Sequence, residues 1–323
     1  MRPFEIVLLV LGIVIALNIF MILLLSTVLY VIVLVRTNKK KWSRENVEII
    51  DDTQQFIYDE GDRWFERYGS LREDVSIVSD GFRLAGEYYD LGFDTAVIIV
   101  PGRMETVRYT HYYAEPWRKA GVNILLIDNR SHGHSEGTFN ALGFKEYRDI
   151  LKWAEFLHEE RGNLKVVLYG LCIGSQTCLF AATAKNCPDY VTALAVDGLF
   201  GRFGDSFKIH IEERKHKTFP VYQLTMLIER IMTGARPMTD GPFRRIKEMK
   251  KPILFLHSRK DQYSLAPITA QMYEDCPSEK KEIVWFDEGQ HSRIRLKNQE
   301  RYDAVIADWT ARIVAPAKKM LEK

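Results

Sequence analysis

The N-terminal 35 residues of this 323-residue chain limit its fold more strongly than any other part of the sequence. Residues 6–35 carry no charged side chain, and 26 of these 30 positions are apolar; the exceptions are Gly12, Asn18, Ser26 and Thr27. An α-helix needs only about 20 such residues to cross roughly 30 Å of hydrocarbon. At 1.5 Å per residue the segment would be about 45 Å long, so we expect tilt or a projecting end. The segment predicts one N-terminal transmembrane helix.

A membrane anchor explains the apolar segment better than a cleaved signal peptide or a buried core helix does. A signal peptide has an apolar region of roughly 7–15 residues before a cleavage site with small residues, and neither feature is visible. A core helix of a soluble protein is polar on one face, whereas this segment is apolar on every face. We therefore expect residues 1–44 to form a single-pass anchor with a basic flank, and the membrane to be a partner of the chain.

The charges on either side of the segment indicate which side of the membrane the body occupies. Arg2 and Glu5 precede the segment. Five basic residues follow it, namely Arg36, Lys39, Lys40, Lys41 and Arg44. Because basic flanks stay on the cytoplasmic side, this asymmetry favours a cytoplasmic body, with an extracytoplasmic body as the alternative. The same flank is also suited to contact anionic lipids.

The rest of the chain has the composition of a globular, enzyme-like domain. Without residues 1–44 it contains 39 basic and 42 acidic residues, a net charge of −3. This near-neutral balance gives no electrostatic footprint for nucleic acid, and 12% aromatic residues exclude a largely disordered chain. The four cysteines include no Cys-x-x-Cys pair, so neither a disulfide scaffold nor a cysteine-based zinc site is expected.

Apolar runs alternate with helical patterns along the body, after an amphipathic helical lead-in at residues 45–70. The runs predict strands at 74–78, 82–89, 96–100, 122–127, 166–169, 194–196, 253–256 and 283–286. Helices are predicted near 112–119, 144–160, 176–185, 266–273 and 299–322. Buried strands separated by helices are typical of a mostly parallel sheet with helices on both faces. The pattern therefore predicts an α/β domain over residues 71–323.

One interval between predicted strands is much longer than a single helix requires. Residues 201–251 contain two helical stretches, 205–215 and 221–232. We expect this insertion to form a helical cap over the carboxyl edge of the sheet, where such folds bind ligands. Its basic and aromatic stretch, 208–222, fits either a substrate lid or a solvated helix pair, and its position favours the lid.

The segment with the most specific chemistry is a strand that runs into Gly170-Leu171-Cys172-Ile173-Gly174 and then a helix. A sharp strand-to-helix turn needs glycines beside its central residue, because side chains there would collide. The turn places the Cys172 thiol at a helix N-terminus, where the helix dipole stabilises a thiolate. Cys172 is therefore a candidate nucleophile, with a small buried packing cysteine as the alternative.

Two later segments supply a candidate acid and a candidate base. Asp261 follows the strand at 253–256, and His291 follows the strand at 283–286. Nucleophile, acid and base thus occur in that order, each beyond the carboxyl end of a strand. In this arrangement Asp261 orients the imidazole, and His291 takes the proton from Cys172 and returns it to the leaving group. Asp197, at the end of another strand, competes for the acid role.

Three further segments resemble motifs of the α/β-hydrolase superfamily. Residues 79–86 are similar to its early Asp-Gly-x-x-Leu-x-Gly hairpin, and residues 128–135 to its Asp-x-Arg-Gly-His-Gly-x-Ser loop. Residues 100–103 resemble the turn after its third strand. The resemblance covers about residues 71–323 and is nearest to bacterial membrane-anchored hydrolases with an esterase-, lysophospholipase- or acylaminopeptidase-like core. It implies the α/β-hydrolase fold with an eight-stranded sheet.

The resemblance also implies an oxyanion hole made by the backbone N–H groups of Ile173 and Arg103. Three residues depart from the superfamily pattern. Cys172 stands where serine is usual, as in the dienelactone-hydrolase branch, while Pro101 replaces a histidine and Ser131 a glycine. The last two substitutions put the geometry of their own loops in question, but neither touches the three candidate side chains.

The resemblance implies a membrane-anchored hydrolase that cleaves an ester, thioester or lactone of a small-molecule or lipid-like acyl substrate. No metal or organic cofactor is expected, because the nucleophile, base and oxyanion donors are all protein groups. His132 and His134 are interpreted as structural hydrogen-bonding residues of the superfamily loop, and Cys178 as a packing residue. Two other interpretations stay open: a catalytically silent scaffold that binds or senses at the membrane, and a thiol-based redox sensor.

Overall fold

A mostly parallel sheet of eight strands forms the centre of the protein. The computed structural model describes residues 2–47, 49–215 and 217–319. The strands are β1 (Arg72–Ser79), β2 (Phe82–Tyr89), β3 (Thr95–Val100), β4 (Asn123–Ile127), β5 (Lys165–Leu171), β6 (Val191–Asp197), β7 (Ile253–Ser258) and β8 (Lys281–Phe286). Their order across the sheet is β1-β2-β4-β3-β5-β6-β7-β8. β2 pairs antiparallel with β1 and β4, and the other neighbours are parallel, which confirms the predicted sheet.

Helices cover both faces of this sheet. They are α1 (Pro3–Leu34), α2 (Asp52–Tyr68), α3 (Val107–Lys119), α4 (Tyr147–Glu159), α5 (Ile173–Ala182), α6 (Phe203–Glu213), α7 (Val221–Thr233), α8 (Pro242–Arg245), α9 (Ala266–Asp275) and α10 (Ile294–Trp309). One apolar core lies between the sheet and α4, α5 and α9, and a second lies between the sheet and α2, α3 and α10. β3 and β4 are buried at every residue, because unbroken runs of Val, Ile and Leu need cover on both sides.

Most helices lie within about three residues of their predicted limits, and three differ by more. The helical lead-in, predicted over 45–70, is helical only from Asp52, because Asp51 caps the first turn of α2. The sequence predicts α3 from residue 112, but it begins at Val107, whose N–H donates to the Asp128 carboxylate at 3.0 Å. The last helix, predicted over 299–322, instead runs from Ile294 to Trp309 and continues as a π-helical turn to Val314. Ala315 then adopts a left-handed conformation before Pro316, which cannot continue a helix. Residues 320–322 of that prediction lie outside the described residues.

The N-terminal helix α1 has two parts with different surroundings. It is long and apolar enough to cross a membrane. Its side chains are exposed over almost all of residues 3–25, whereas Ser26, Tyr30, Val33 and Leu34 are buried against the body. The C-terminal third of α1 therefore belongs to the packed structure, and the remainder projects from it.

The cap helices α6 and α7 lie over the turn between β5 and α5. Phe203 and Phe207 of α6 and Tyr222 and Met226 of α7 join an apolar cluster that includes Ile173. The insertion between β6 and β7 is therefore packed, through these two helices, on the carboxyl side of the sheet.

Candidate active site

The turn that carries Cys172 has the strained geometry that its glycines predict. Cys172 has φ +53° and ψ −115°, a conformation that few non-glycine residues adopt. A Cβ added to Gly170 would lie 2.3 Å from the carbonyl carbon of Gly174, and one added to Gly174 would lie 2.2 Å from the Val100 oxygen. The Cys172 N–H donates to the Asp197 carbonyl at 2.9 Å. Backbone strain of this kind, held by close packing, is concentrated at functional sites.

Asp261 and His291 meet beyond the ends of β7 and β8. The Nδ1 atom of His291 lies 2.8 Å from Oδ2 of Asp261. The other oxygen, Oδ1, accepts the backbone N–H groups of Tyr263 at 2.9 Å and Ser264 at 2.7 Å. Because each carboxylate oxygen has its own partner, Asp261 is held in one orientation toward the imidazole.

The surroundings of this pair favour an ion pair. Burial alone would lower the pKa of His291, but the charges of Asp261 and Cys172 and the hydrogen bond with Asp261 raise it well above its ordinary value. Burial likewise opposes ionisation of Asp261, yet His291 holds the pKa of that carboxyl below its ordinary value. The three side chains that the sequence analysis selected therefore lie together, with His291 between Asp261 and Cys172.

The predicted oxyanion donors adjoin the same point. Ile173 is the first residue of α5, so its N–H belongs to the helix end that lacks intrahelical acceptors. The turn after β3 passes beside Cys172, since a Cβ added to Gly102 would lie 3.5 Å from the Cys172 Cβ. Arg103 follows Gly102 directly. Both backbone segments are thus next to the thiol, which is partly exposed.

Asp197, the competing acid, has different partners. Its Oδ2 accepts a hydrogen bond from Tyr302 Oη at 2.7 Å, and Tyr302 Oη lies 2.6 Å from Tyr169 Oη. Burial raises the pKa of Asp197 to about 7, although the charge of His291 acts in the opposite direction. The contact with Nδ1 of His291 therefore belongs to Asp261, and Asp197 forms part of a buried tyrosine network behind it.

Two charged side chains at the site were not singled out by the sequence analysis, which named Arg103 only for its backbone N–H and did not name Glu105. Burial raises the pKa of Glu105 to about 7, and Tyr58 Oη donates to its Oε2 at 2.9 Å. The Arg103 side chain lies close enough to Cys172 for their charges to interact, while burial lowers the pKa of Arg103. Both residues lie in the turn between β3 and α3, at the carboxyl edge of the sheet. That position is the signal that could have identified them.

The loop that carries His291 is fastened to helices from the N-terminal half of the chain. Asp51, the N-cap of α2, accepts the Arg293 guanidinium at 2.8 Å. The Ser292 carbonyl accepts Tyr113 Oη of α3 at 2.5 Å. The helical lead-in therefore takes part in positioning the candidate base.

The histidines of the loop after β4 have structural contacts. His132 stacks on Trp42 with ring centroids 4.7 Å apart, and its Nε2 accepts the Met104 N–H at 3.2 Å. His134 lies 2.8 Å from a Glu45 carboxylate oxygen. In the described part of the chain no group of three or more His, Cys, Asp or Glu side chains is arranged to hold a metal ion.

The end of α1 and its basic flank are fastened to the body beside the site. Arg103 Nη1 donates to the Val33 carbonyl at 3.2 Å. Lys41 Nζ donates to three carbonyls at the end of α1, and Arg36 donates to the Gly133 and Ser135 carbonyls. Arg44 pairs with Glu87 at 2.7 Å and Asp128 at 2.8 Å, both buried. Of the five flank residues, Arg36 and Arg44 therefore contact the body, and Lys41 contacts the end of α1.

The strand order, the turn at Cys172 and the placement of the acid and base define the α/β-hydrolase fold. The structure of the Pyrococcus furiosus esterase Pf2001 is similar, with a TM-score of 0.65 and 18% sequence identity over 77% of this chain and 94% of that chain. At this level of identity the similarity shows the fold.

Comparisons of sequence agree with this class. The family of the serine aminopeptidase S33 matches residues 93–200, a range that includes Cys172. YqkD of Bacillus subtilis is 24% identical over 257 residues, which cover 78% of this chain and 83% of YqkD. The membrane protein YNL320W of Saccharomyces cerevisiae is 25% identical over 197 residues, 60% of this chain and 62% of that protein. These similarities support the α/β-hydrolase superfamily and a hydrolase.

Proposed function

We propose that the protein is a membrane-anchored hydrolase that cleaves an ester, thioester or lactone through a covalent acyl-Cys172 intermediate. The observation that carries this proposal is the contact of 2.8 Å between His291 and Asp261 beside a cysteine held at φ +53°. A cysteine at a helix N-terminus, beside an imidazole that a carboxylate holds in place, has the arrangement of an activated nucleophile. The fold and the esterase similarity support this chemistry without identifying the bond cleaved.

The reaction has two halves in this proposal. The Cys172 sulfur attacks the substrate carbonyl carbon, and the bond to the leaving group breaks as His291 transfers a proton to it. His291 then removes a proton from water, the hydroxide attacks the thioester carbonyl, and the Cys172 thiolate leaves. Asp261 keeps the imidazole in one orientation throughout.

The oxyanion of each tetrahedral intermediate would be stabilised by the N–H groups of Ile173 and Arg103. Removing one such donor typically costs about 3 kcal/mol in transition-state stabilisation. The nearby guanidinium of Arg103 adds a positive charge on the same side of Cys172.

The membrane location is part of the proposal and rests on α1. Its projecting part, residues 3–25, is apolar and exposed, and a yeast relative is described as a membrane protein. We assign the body to the cytoplasmic side because the basic flank follows the helix. A C-terminal reporter that is active only outside the cytoplasm would contradict this orientation.

The proposal is tested with the full chain and short-chain p-nitrophenyl esters. Cys172→Ala and His291→Ala should each lower kcat/KM by roughly 10³-fold or more, because the loss of one member of a catalytic triad removes most of the activity of the whole triad. Cys187→Ala is the matched control, because Cys187 is also a partly exposed free thiol. It should retain wild-type activity.

The same variants distinguish the rival interpretations. A catalytically silent scaffold predicts equal background rates for the wild type and all three variants. A redox sensor predicts reversible oxidation of Cys172 without ester turnover. Equal rates, together with no preferential labelling of Cys172 by iodoacetamide, would overturn the hydrolase proposal. Reversible oxidation of Cys172 without ester turnover would overturn it as well.

A further inference from the structure

The cap has an exposed apolar surface beside the membrane helix. Phe219, which precedes α7, is 78% exposed, and Leu227 and Ile231 on α7 are 47% and 72% exposed. On the other face of α7, Tyr222 and Met226 are buried. We call the exposed residues Phe219, Leu227 and Ile231 the cap surface. Single exposed apolar residues are ordinary, but several beside an apolar membrane helix point to a common environment.

The contacts between α1 and α7 show how the cap surface lies along the membrane helix. Thr225 Oγ1 donates to the Ser26 carbonyl at 3.2 Å. Four residues further along both helices, Glu229 lies close enough to Tyr30 for its charge to act on the hydroxyl. Since both pairs advance in the same direction, α1 and α7 run parallel. The start of α7, with Phe219 before it, is therefore the end nearest the projecting part of α1.

The length of that projecting part locates the edge of the bilayer. At 1.5 Å per residue, residues 6–25, which follow Glu5 and carry no charge, extend about 30 Å. This length matches a hydrocarbon core of roughly 30 Å. If residues 6–25 fill the hydrocarbon, its edge lies near Ser26, which is the level of Thr225 on α7. Phe219 and Leu227 are then at the boundary between hydrocarbon and headgroups.

The charges around the cap surface fit an anionic leaflet. Every exposed ionic side chain between 214 and 238 in the described chain is basic, and the exposed acidic residues Glu212 and Glu213 lie just before this stretch, at the end of α6. The basic residues are Arg214, Lys215, Lys217, Arg230 and Arg236. The acidic residue of this stretch, Glu229, is fully buried. Basic residues around exposed apolar side chains are the usual composition of a helix that lies in a membrane interface.

The buried face of the same helix leads to the candidate nucleophile. Tyr222 and Met226 of α7 pack in one apolar cluster with Tyr30 and Leu34 of α1 and with Ile173. Cys172 is partly buried against that cluster. A packed apolar cluster thus extends from the boundary level of α1 to the thiol.

We propose that the cap surface docks into an anionic membrane beside α1, so that the site receives its acyl substrate from the bilayer. The occupant of the surface is lipid, and the substrate class is a membrane-resident amphiphile with a long acyl chain. The docking follows from surface geometry and charge alone, whereas the substrate class rests on the proposed function.

Docking is tested without catalysis, in the full chain reconstituted in vesicles of phosphatidylcholine and phosphatidylglycerol. The partly exposed thiols are first removed by Cys172→Ser and Cys187→Ser. Phe219→Cys, Leu227→Cys and Leu164→Cys are then each labelled with an environment-sensitive nitrobenzoxadiazole probe. Leu164 is the matched control, because it is 63% exposed but lies just before β5, at the amino ends of the parallel strands and therefore away from the site. Doxyl-labelled phosphatidylcholine should quench the probes at 219 and 227 and leave the probe at 164 unquenched.

Substrate access is tested by comparing p-nitrophenyl palmitate in the vesicles with p-nitrophenyl butyrate in water. Leu227→Asp should lower the ratio of the palmitate rate to the butyrate rate by roughly tenfold, because a charge in the interface opposes docking. Leu164→Asp should leave that ratio within about twofold of the wild type.

The outcomes separate this inference from the proposed function. Equal quenching at 164, 219 and 227 would overturn the docking, whatever the activity. Selective quenching with an unchanged rate ratio in Leu227→Asp would overturn supply of the substrate from the bilayer. Selective quenching with no Cys172-dependent hydrolysis of either ester would support the docking. The same result would overturn both the proposed hydrolase activity and the substrate class.

Discussion

His291 is the residue whose environment determines what the site can do. The Asp261 carboxylate lies on one side of the ring and the Cys172 sulfur on the other, and the charge of Asp261 favours the protonated form of the imidazole. Gly198 allows this position, since a Cβ there would lie 3.0 Å from His291 Cε1. Tyr263 meets the ring edge-on with centroids 5.6 Å apart. The imidazole is therefore confined by packing as well as by its hydrogen bonds.

The two buried acids near His291 should differ sharply when each is replaced by its amide. Asp261→Asn should lower kcat/KM for a p-nitrophenyl ester by roughly 10³–10⁴-fold, the size seen when the orienting acid of a serine-protease triad is replaced. Asp197→Asn, which keeps an oxygen for Tyr302, should change it by less than about threefold. Equal losses in both variants would show that the acid role is not confined to Asp261.

Replacing Asp261 should also change the ionisation of His291. Asp261→Asn removes the largest of the charges that raise the pKa of His291, so that pKa should fall toward its ordinary value. Protonated His291 should then be lost at a lower pH than in the wild type. The pH titration of the His291 ring protons by NMR measures this shift, with His291→Gln used to assign the signal. A His291 titration that does not move would contradict the ion pair.

At the scale of elements, α2 illustrates how a distant helix supports the site. Asp51 caps α2 through the Gln54 N–H at 2.8 Å and also pairs with Arg293, two residues after His291. Although partial burial opposes ionisation, these partners lower the pKa of Asp51 to about 2. Because its pKa is lowered, the Asp51 carboxyl stabilises the folded protein in its ionised form. This contribution to stability is present above the ordinary pKa of aspartate and is lost as pH falls toward 2.

Asp51→Ala should therefore lower the free energy of unfolding at neutral pH by about 1 kcal/mol, the usual value for a lost N-cap. Asp52→Ala is the matched control, since Asp52 is the exposed neighbour in the first turn of α2. It should cost less than about 0.5 kcal/mol. Chemical denaturation of the full chain in detergent measures both. Equal effects would show that neither the cap nor the pair with Arg293 contributes.

The sequence predicted the elements that follow regular patterns and missed the contacts between distant segments. The sheet could be predicted because its strands are unbroken apolar runs, and the position of Asp261 and His291 because they follow such runs directly. The packing of α1 on the cap could not be predicted, since hydropathy treats residues 6–35 as one uniform segment. Ser26 and Tyr30 mark the packed third in retrospect. Glu105 belongs to no motif, and in the sequence only its position just after β3 indicates it; its place near Cys172 becomes clear when β3 and β5 lie side by side.

At the scale of the whole molecule, α1 and its basic flank are joined to the body by several contacts. The basic flank turns back over the loop after β4, where Arg44 lies between the buried carboxylates of Glu87 and Asp128. With α1 packed on α7, these contacts hold the carboxyl edge of the sheet close to the packed end of α1. A flexible tether would leave the orientation of the site free.

Arg44→Ala should show the strength of this join. Loss of one partner from a buried pair typically costs about 3 kcal/mol, so the melting temperature should fall by roughly 5–10 °C. Lys40→Ala is the control, because Lys40 is an exposed residue of the same flank. Its melting temperature should equal that of the wild type within about 1 °C. Equal melting temperatures for both variants would contradict a structural role for the flank.

The most direct test of the account is the mass of the enzyme during turnover. The full chain is mixed with a p-nitrophenyl ester, quenched in acid, and examined by intact-protein and peptide mass spectrometry. We expect one acyl group per chain, located on Cys172, absent from Cys172→Ala and greatly reduced in His291→Ala. Turnover of the ester without an acyl group on Cys172, or with the group on another residue, would contradict the proposed acyl-cysteine hydrolase.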